Sequence, residues 1–245
     1  MKRVLLKISY DGTAYHGWQV QPNGITVQQA LQDALEKMLG ERVGVTGCSR
    51  TDAGVHAREF FCHFDTPDNI PITAFVPGLN SVLPYDISVL SAKEVAVDFH
   101  ARYNAAGKRY VYYIDNAAVP DPFLRRYAYY VKTPLDTDKM NELCSMLIGT
   151  HDFAAFSSIH RTVTNTVRTI SECFVKREGD KVILSVTADG FLYNMVRIIV
   201  GTALDASMGK ILKGTFEEVF ETNRSRAGST APPQGLFLDK VFYRE

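Results

Sequence analysis

The sequence has no bulk charge. Lys+Arg and Asp+Glu are both 27 in 245 residues, so the formal net charge is zero. The broad basic character of a typical nucleic-acid binder is missing, and any RNA contact has to be made through a local patch. The charge is also spread evenly. Residues 1–103 carry 9 basic and 11 acidic side chains, and residues 104–245 carry 18 and 16. Cysteine is sparse. Cys48, Cys62, Cys144 and Cys173 include no CxxC pair, which speaks against a zinc site, and free thiols point to a reducing cytosol. His56, His63, His100, His151 and His160 form no pattern of metal-ligand spacing. No long apolar run is present. The run Met195–Val200 contains Arg197 and is far short of a membrane span. The N-terminal MKRVLLKISYDG is too short and too interrupted for a signal peptide. The phosphate-cradling motifs Gly-x-x-x-x-Gly-Lys-Ser/Thr and Gly-x-Gly-x-x-Gly are absent, as is Gly-x-Ser-x-Gly. These absences describe a cytoplasmic, soluble chain with no metal and no nucleotide cofactor.

What is present suits an ordinary globular protein: 46% apolar and 22% charged residues. At 27.4 kDa, surface scaling gives a folded area of roughly 11,000 Å² against roughly 40,000 Å² extended. Burial on that scale makes a core that needs no disulfide or metal.

The hydrophobic period changes along the chain. Residues 3–10 alternate as a strand. From Thr26, apolar residues Val27, Ala30, Leu31, Ala34, Leu35, Met38 and Leu39 share one helical face, with Thr26 to Gln29 as a capping box and Gly40 as a stop. Strands follow at 43–48 and 59–64, a short helix at 71–83 and a strand at 87–95. The second half repeats this order: strand 108–115, helix 138–148, strands 166–176 and 181–187, helix 191–207, an extra short helix at 216–221 and strand 236–243. Two rounds of β-α-β-β-α-β indicate an α/β (α+β) chain of two ferredoxin-like halves, 1–103 and 104–245, joined near Arg102–Gly107.

Three groups of residues can carry chemistry. In Gly47–Ala57, GCSRTDAGVHA, Arg50 and Asp52 are two apart, and point the same way if the chain is extended. A carboxylate beside an arginine stays ionised and can serve as nucleophile or base. The same residues also read as a plain turn with an Asp cap. Arg197 is the lone charge between Asp189 and Asp205, in a helix that is apolar on every side. If buried, it needs a carboxylate, for which Asp52 is the candidate; otherwise it snorkels to a rim. Tyr110, on one strand face with Tyr112, can stack on a nucleobase or pack in the core.

The motifs Tyr10-Asp11-Gly12-Thr13, Gly17-Trp18-Gln19, Ser49–Ala57, Phe99-His100-Ala101-Arg102, Lys108-Arg109-Tyr110, Gly149–Phe153, Phe191–Arg197 and Ala231–Leu236 occur in this order. In them the chain resembles the tRNA pseudouridine synthase A family, nearly end to end. Cys48-Ser49 is a mild departure, where glycine or serine is usual. The resemblance implies a duplicated α/β fold with a continuous, mostly antiparallel central sheet, helices on one face and an active-site cleft between the halves. It implies an isomerase that converts uridine to pseudouridine at positions 38 to 40 of the tRNA anticodon stem-loop, acting as a homodimer without cofactor. Asp52 aligns with the nucleophile, Tyr110 with the tyrosine beside the target base, Arg197 with the arginine paired to the aspartate, and Arg50 with the arginine that helps extrude the base. His56 and Arg58, in and beside the same motif, complete the substrate-binding candidates.

Two other readings stand beside this one. A catalytically silent RNA-binding module would use the tyrosine-rich strand as a platform for bases. A metal-dependent hydrolase would be built on Asp52 and His56, although a third ligand is missing.

Overall fold

The computed structural model describes residues 1–67, 69–158, 164–210 and 227–244. In chain order these form β1 (Lys2–Tyr10), α1 (Val27–Leu39), β2 (Thr46–Gly47), β3 (His56–Thr66), α2 (Phe75–Asn80), β4 (Ile87–Val95), β5 (Ala105–Asp115), β6 (Tyr129–Tyr130), α3 (Thr137–Leu147), β7 (Gly149–Asp152), β8 (Val167–Glu178), β9 (Lys181–Ala188), α4 (Met195–Ser207) and β10 (Leu236–Tyr243). The chain divides into two compact units, Met1–Ala106 with Phe237–Glu245, and Gly107–Leu236. Both are α/β, and their strands are mostly antiparallel.

In the first unit β1 lies between β3 and β4, antiparallel to both. The start of β10 joins β3 in parallel, with Phe237 opposite His56 and Leu238 opposite Ala57. That pairing draws the last strand into the first unit. Val4, Leu6, Ile8 and Tyr10 of β1 are buried, as their alternation requires. Helix α1 buries Val27, Leu31, Ala34 and Leu35. The Thr26 hydroxyl accepts the Gln29 amide at 3.3 Å, and Gly40 ends the helix at φ +79°. Truncating Leu31 to alanine would cost about 2–5 kcal/mol at a fully buried site.

The strand expected at 43–48 shrinks to Thr46–Gly47. Its backbone is satisfied from α1 instead. The side-chain amides of Gln28 and Gln32 donate to the carbonyls of Val45 and Val43 at 2.7 and 3.0 Å. The helix expected at 71–83 resolves into a 3-10 turn, Ile72–Ala74, followed by α2.

In the second unit the order is β5-β9-β8-β7, all antiparallel, with β6 parallel to the end of β5. Helix α3 is tied to β8 by Asn141, whose side chain accepts the Val175 amide at 2.7 Å and donates to its carbonyl at 2.8 Å. Helix α4 is buried along nearly its whole length. It starts at Met195, later than the expected 191, because Asn194 adopts φ +61° and interrupts the helical path. The short helix expected at 216–221 lies outside the described residues. No helix among those described is long and apolar enough to cross a membrane.

Candidate active site

Asp52 opens a tight turn in the loop that leads into β3. Its carbonyl accepts the Val55 amide at 3.1 Å, and Gly54 takes φ +77°, which glycine adopts without strain. The side chain of Asp52 is half-buried and that of Arg50 is exposed.

The turn is held by the segment that follows β1. The Trp18 amide donates to Thr51 O at 3.1 Å, the Gly54 amide to Tyr15 O at 3.2 Å, and the Tyr10 and Thr51 hydroxyls meet at 2.9 Å. The backbones touch. A Cβ on Gly12 would lie 1.9 Å from Val55 O, and one on Gly17 would lie 2.3 Å from Thr51 O. Gly17 also sits at φ +82°. Trp18 in turn packs against Phe60 of β3, the rings tilted by 31° with centroids 4.1 Å apart. The Tyr15 phenol donates to Asp86 at 2.5 Å; burial first, and that carboxylate next, push it up. The Tyr10–Gly12 and Gly17–Trp18 motifs therefore form the cradle of the Asp52 loop. Their residue types alone do not announce this role, because the cradle and the loop are about forty residues apart in sequence.

His56 is 1% exposed. Its Nδ1 accepts the Gly12 amide at 3.0 Å and lies 3.0 Å from Asp11 Oδ1. An accepting Nδ1 carries no proton, so in that state the approach to Asp11 is not an ion pair. The imidazole stacks on Phe237 at 4.5 Å. The exposed guanidinium of Arg58 sits 5.2 Å over the ring of Phe237 and 3.6 Å from Asp239. Arg58 is thus presented on an aromatic support beside the loop.

The remaining candidates lie in the second unit. Tyr110, 5% exposed, meets Phe191 edge to face at 5.0 Å. Tyr112, two residues on along β5, donates its hydroxyl to Pro232 O at 2.7 Å, and burial pushes that phenol far up. Arg197 is half-buried, between the buried and the snorkelling expectation. Its Nε donates to Ala231 O at 2.7 Å and its Nη1 to Asn194 Oδ1 at 2.9 Å. The Ala231 amide returns a bond to Arg197 O at 3.0 Å, and Asn194 Nδ2 donates to Ser158 Oγ at 2.8 Å. These bonds orient the guanidinium before any substrate is present.

Asn194 and Ala231 were not singled out from sequence. The available signal was Asn194 at a helix start, since asparagine tolerates a positive φ better than most residues.

Among the described residues, no group of three or more His, Cys, Asp or Glu side chains could hold a metal ion. All four cysteines are free and buried.

Comparisons with known proteins place the chain in a family. A family model described as tRNA pseudouridine synthase matches residues 7–104 and 143–244. A Clostridium perfringens protein named tRNA pseudouridine synthase A 2 is 48% identical over 99% of this chain and 100% of its own length. Proteins named tRNA pseudouridine synthase A from a Thermoanaerobacter species and from Clostridium kluyveri are each 46% identical, with the same coverage. A solved Cbf5-Nop10-Gar1 complex aligns with 98% of this chain and 50% of that one, at 12% identity and a TM-score of 0.42, which is too low to carry an argument. The family match takes in the loop of Asp52 and the helix of Arg197 but not Tyr110, which only the full-length relatives span. This chain belongs to the tRNA pseudouridine synthase family.

Proposed function

We propose that the protein is an isomerase acting on tRNA, converting uridine to pseudouridine at positions 38 to 40 of the anticodon stem-loop. Family membership supports the reaction. The observation that carries the site is the Asp52 turn, clamped through the backbone by Tyr15, Gly17 and Trp18. A main-chain turn clamped this firmly fixes where the Asp52 side chain starts, which suits a reaction in which that carboxylate meets one carbon of an everted nucleoside.

The chemistry asks for little else. The C1′–N1 bond breaks, a C1′–C5 bond forms, the proton leaves C5 and N1 gains one. Nothing is oxidised or reduced, so no cofactor is called for. A stacked uracil cannot turn over, and flipping it out costs a few kcal/mol. Loop nucleotides are already partly unstacked, which favours the anticodon loop as substrate. Asp52 attacks C1′ or draws the 2′ proton; both routes start from the ionised carboxylate. The roles of the other residues follow the family resemblance. By that resemblance Arg197 takes the part of the family's arginine that supports the catalytic aspartate. Tyr110 stacks on the uracil. Arg50 and Arg58 meet the RNA at the loop, and the buried His56 contributes by holding Gly12. The resemblance further supports a homodimer, and the free thiols support a cytoplasmic setting.

The test is to incubate the protein with anticodon stem-loops carrying uridine at these positions and to map pseudouridine. Product at 38 to 40 is expected. RNA binding without product from any substrate would leave a silent RNA-binding module instead.

A further inference from the structure

The loop between β5 and β6 has no part in the reaction as described, yet it is built with care. Val119 is 74% exposed and Phe123 is 84% exposed, and both adjoining arginines, Arg125 and Arg126, are exposed. Exposed apolar residues scattered singly are ordinary; here an aromatic ring stands two residues from a pair of exposed arginines on one loop.

The loop is nevertheless tightly ordered. At its root Asp115 is 3% exposed, and its carboxylate accepts the amides of Ala117 at 3.2 Å and Asp121 at 3.0 Å. Asp121, itself exposed, accepts the Phe123 amide at 2.8 Å. Arg125 Nη1 donates to Pro122 O at 2.8 Å, Tyr130 OH to Ala118 O at 3.2 Å, and the Tyr127 and Ala128 amides to Leu124 O at 2.8 and 2.9 Å. A buried carboxylate spent on shaping a surface loop, with an aromatic ring and two cations displayed at its tip, is a preorganised contact.

Charge decides what it meets. From Asn116 to Lys132 the cations are Arg125, Arg126 and Lys132, and the one acid is Asp121. A chain of zero net charge that handles a polyanion needs such a patch. Arginine with an exposed aromatic ring is the combination that holds single-stranded or looped RNA, the ring stacking on a base and the guanidinium on phosphate.

We infer that the Ala117–Arg126 loop is a second RNA contact of the enzyme, with Phe123 stacking on an unpaired base outside the active site and Arg125 and Arg126 on the adjoining phosphates. The inference rests on the tRNA reading above. Asp115 ends β5 five residues after Tyr110, a span of about 17 Å along a strand. The root of the loop is thus set well away from Tyr110, the residue assigned to the target base.

The test compares wild type with Phe123→Ala, Phe123→Trp and the pair Arg125→Glu/Arg126→Glu on full-length tRNA. Phe123→Ala should raise KM about tenfold at unchanged kcat, and Phe123→Trp should restore it. The double arginine variant should also raise KM, and should lower the slope of log affinity against log salt by about one to two. Melting temperatures of the two Phe123 variants should match wild type, because that side chain is solvent-facing and makes none of the loop's ordering bonds. KM and salt slope both unchanged would overturn the inference. So would a fall in mass by light scattering for either variant, which would make the loop an interface between copies of this chain. Wild type failing to modify tRNA would instead sink the functional reading itself.

Discussion

Gly12 and the carbonyl of Val55 are in backbone contact: a Cβ on Gly12 would lie 1.9 Å from that oxygen. The neighbouring atom is main chain, so no side-chain rotation can relieve the clash. Val55 closes the turn that Asp52 opens. Gly12→Ala is therefore expected to move the turn, and with it the carboxylate. A displacement of about 1 Å at a reacting group costs about a hundredfold in rate. Single-turnover kinetics should show that loss with tRNA affinity kept. A variant at wild-type rate would mean that the cradle does not set the position of Asp52.

Gly201→Ala tests the corresponding support in the second unit. Replacing a glycine inside a helix by alanine normally stabilises by about 0.5–1 kcal/mol. Here the added Cβ would lie 1.7 Å from Ser229 O. The segment carrying Ser229 also supplies the Ala231 carbonyl that receives Arg197 Nε. The sign should reverse, to a loss of about 1–3 kcal/mol. Thermal unfolding reports the stability and turnover reports the displaced guanidinium. A raised melting temperature would contradict the packing described.

Much of this was legible in the sequence, and the exceptions share a cause. Strand β4 and helix α1 follow from periodicity and from local caps, Thr26 and Gly40, that sit next to what they cap. The Asp52 turn is legible through Gly54. What stayed hidden depends on distant partners. The segment at 43–48 has strand-like residues, yet Gln28 and Gln32 of α1 take its carbonyls. Arg197 reads as buried or snorkelling because two of its acceptors, the Asn194 side chain and the Ala231 carbonyl, are neutral groups, and one of them is 34 residues away. Similarity to known relatives supplied the reaction, since an Asp–Arg–Tyr set by itself fits many chemistries.

His63 makes stability depend on pH. Burial pushes its imidazole down to about 4, and the charges of Arg3 and His100 act the same way. Its Nδ1 accepts the Ala101 amide at 3.1 Å, which suits the neutral ring. In the unfolded chain the ring titrates near 6.5. Between about 4 and 6.5 the unfolded state therefore binds the extra proton, and stability falls as pH falls through that window. Above it the term is constant. Urea midpoints across this range should decline toward acid in wild type and decline less in His63→Asn. Parallel curves for the two proteins would remove His63 as the source.

Asp52→Asn keeps the shape of the side chain and removes its charge. The turn itself is made by the main chain, through Asp52 O and Val55 N, Thr51 O and Trp18 N, and Tyr15 O and Gly54 N. The fold and the affinity for tRNA should therefore survive. An amide cannot attack C1′ or take the 2′ proton, so pseudouridine formation should fall by roughly 10⁴ or more. Tritium release from uracil-labelled tRNA measures the first effect and filter binding the second. Full turnover by this variant would remove Asp52 from the chemistry. Loss of binding together with turnover would make it a contact rather than the reacting group.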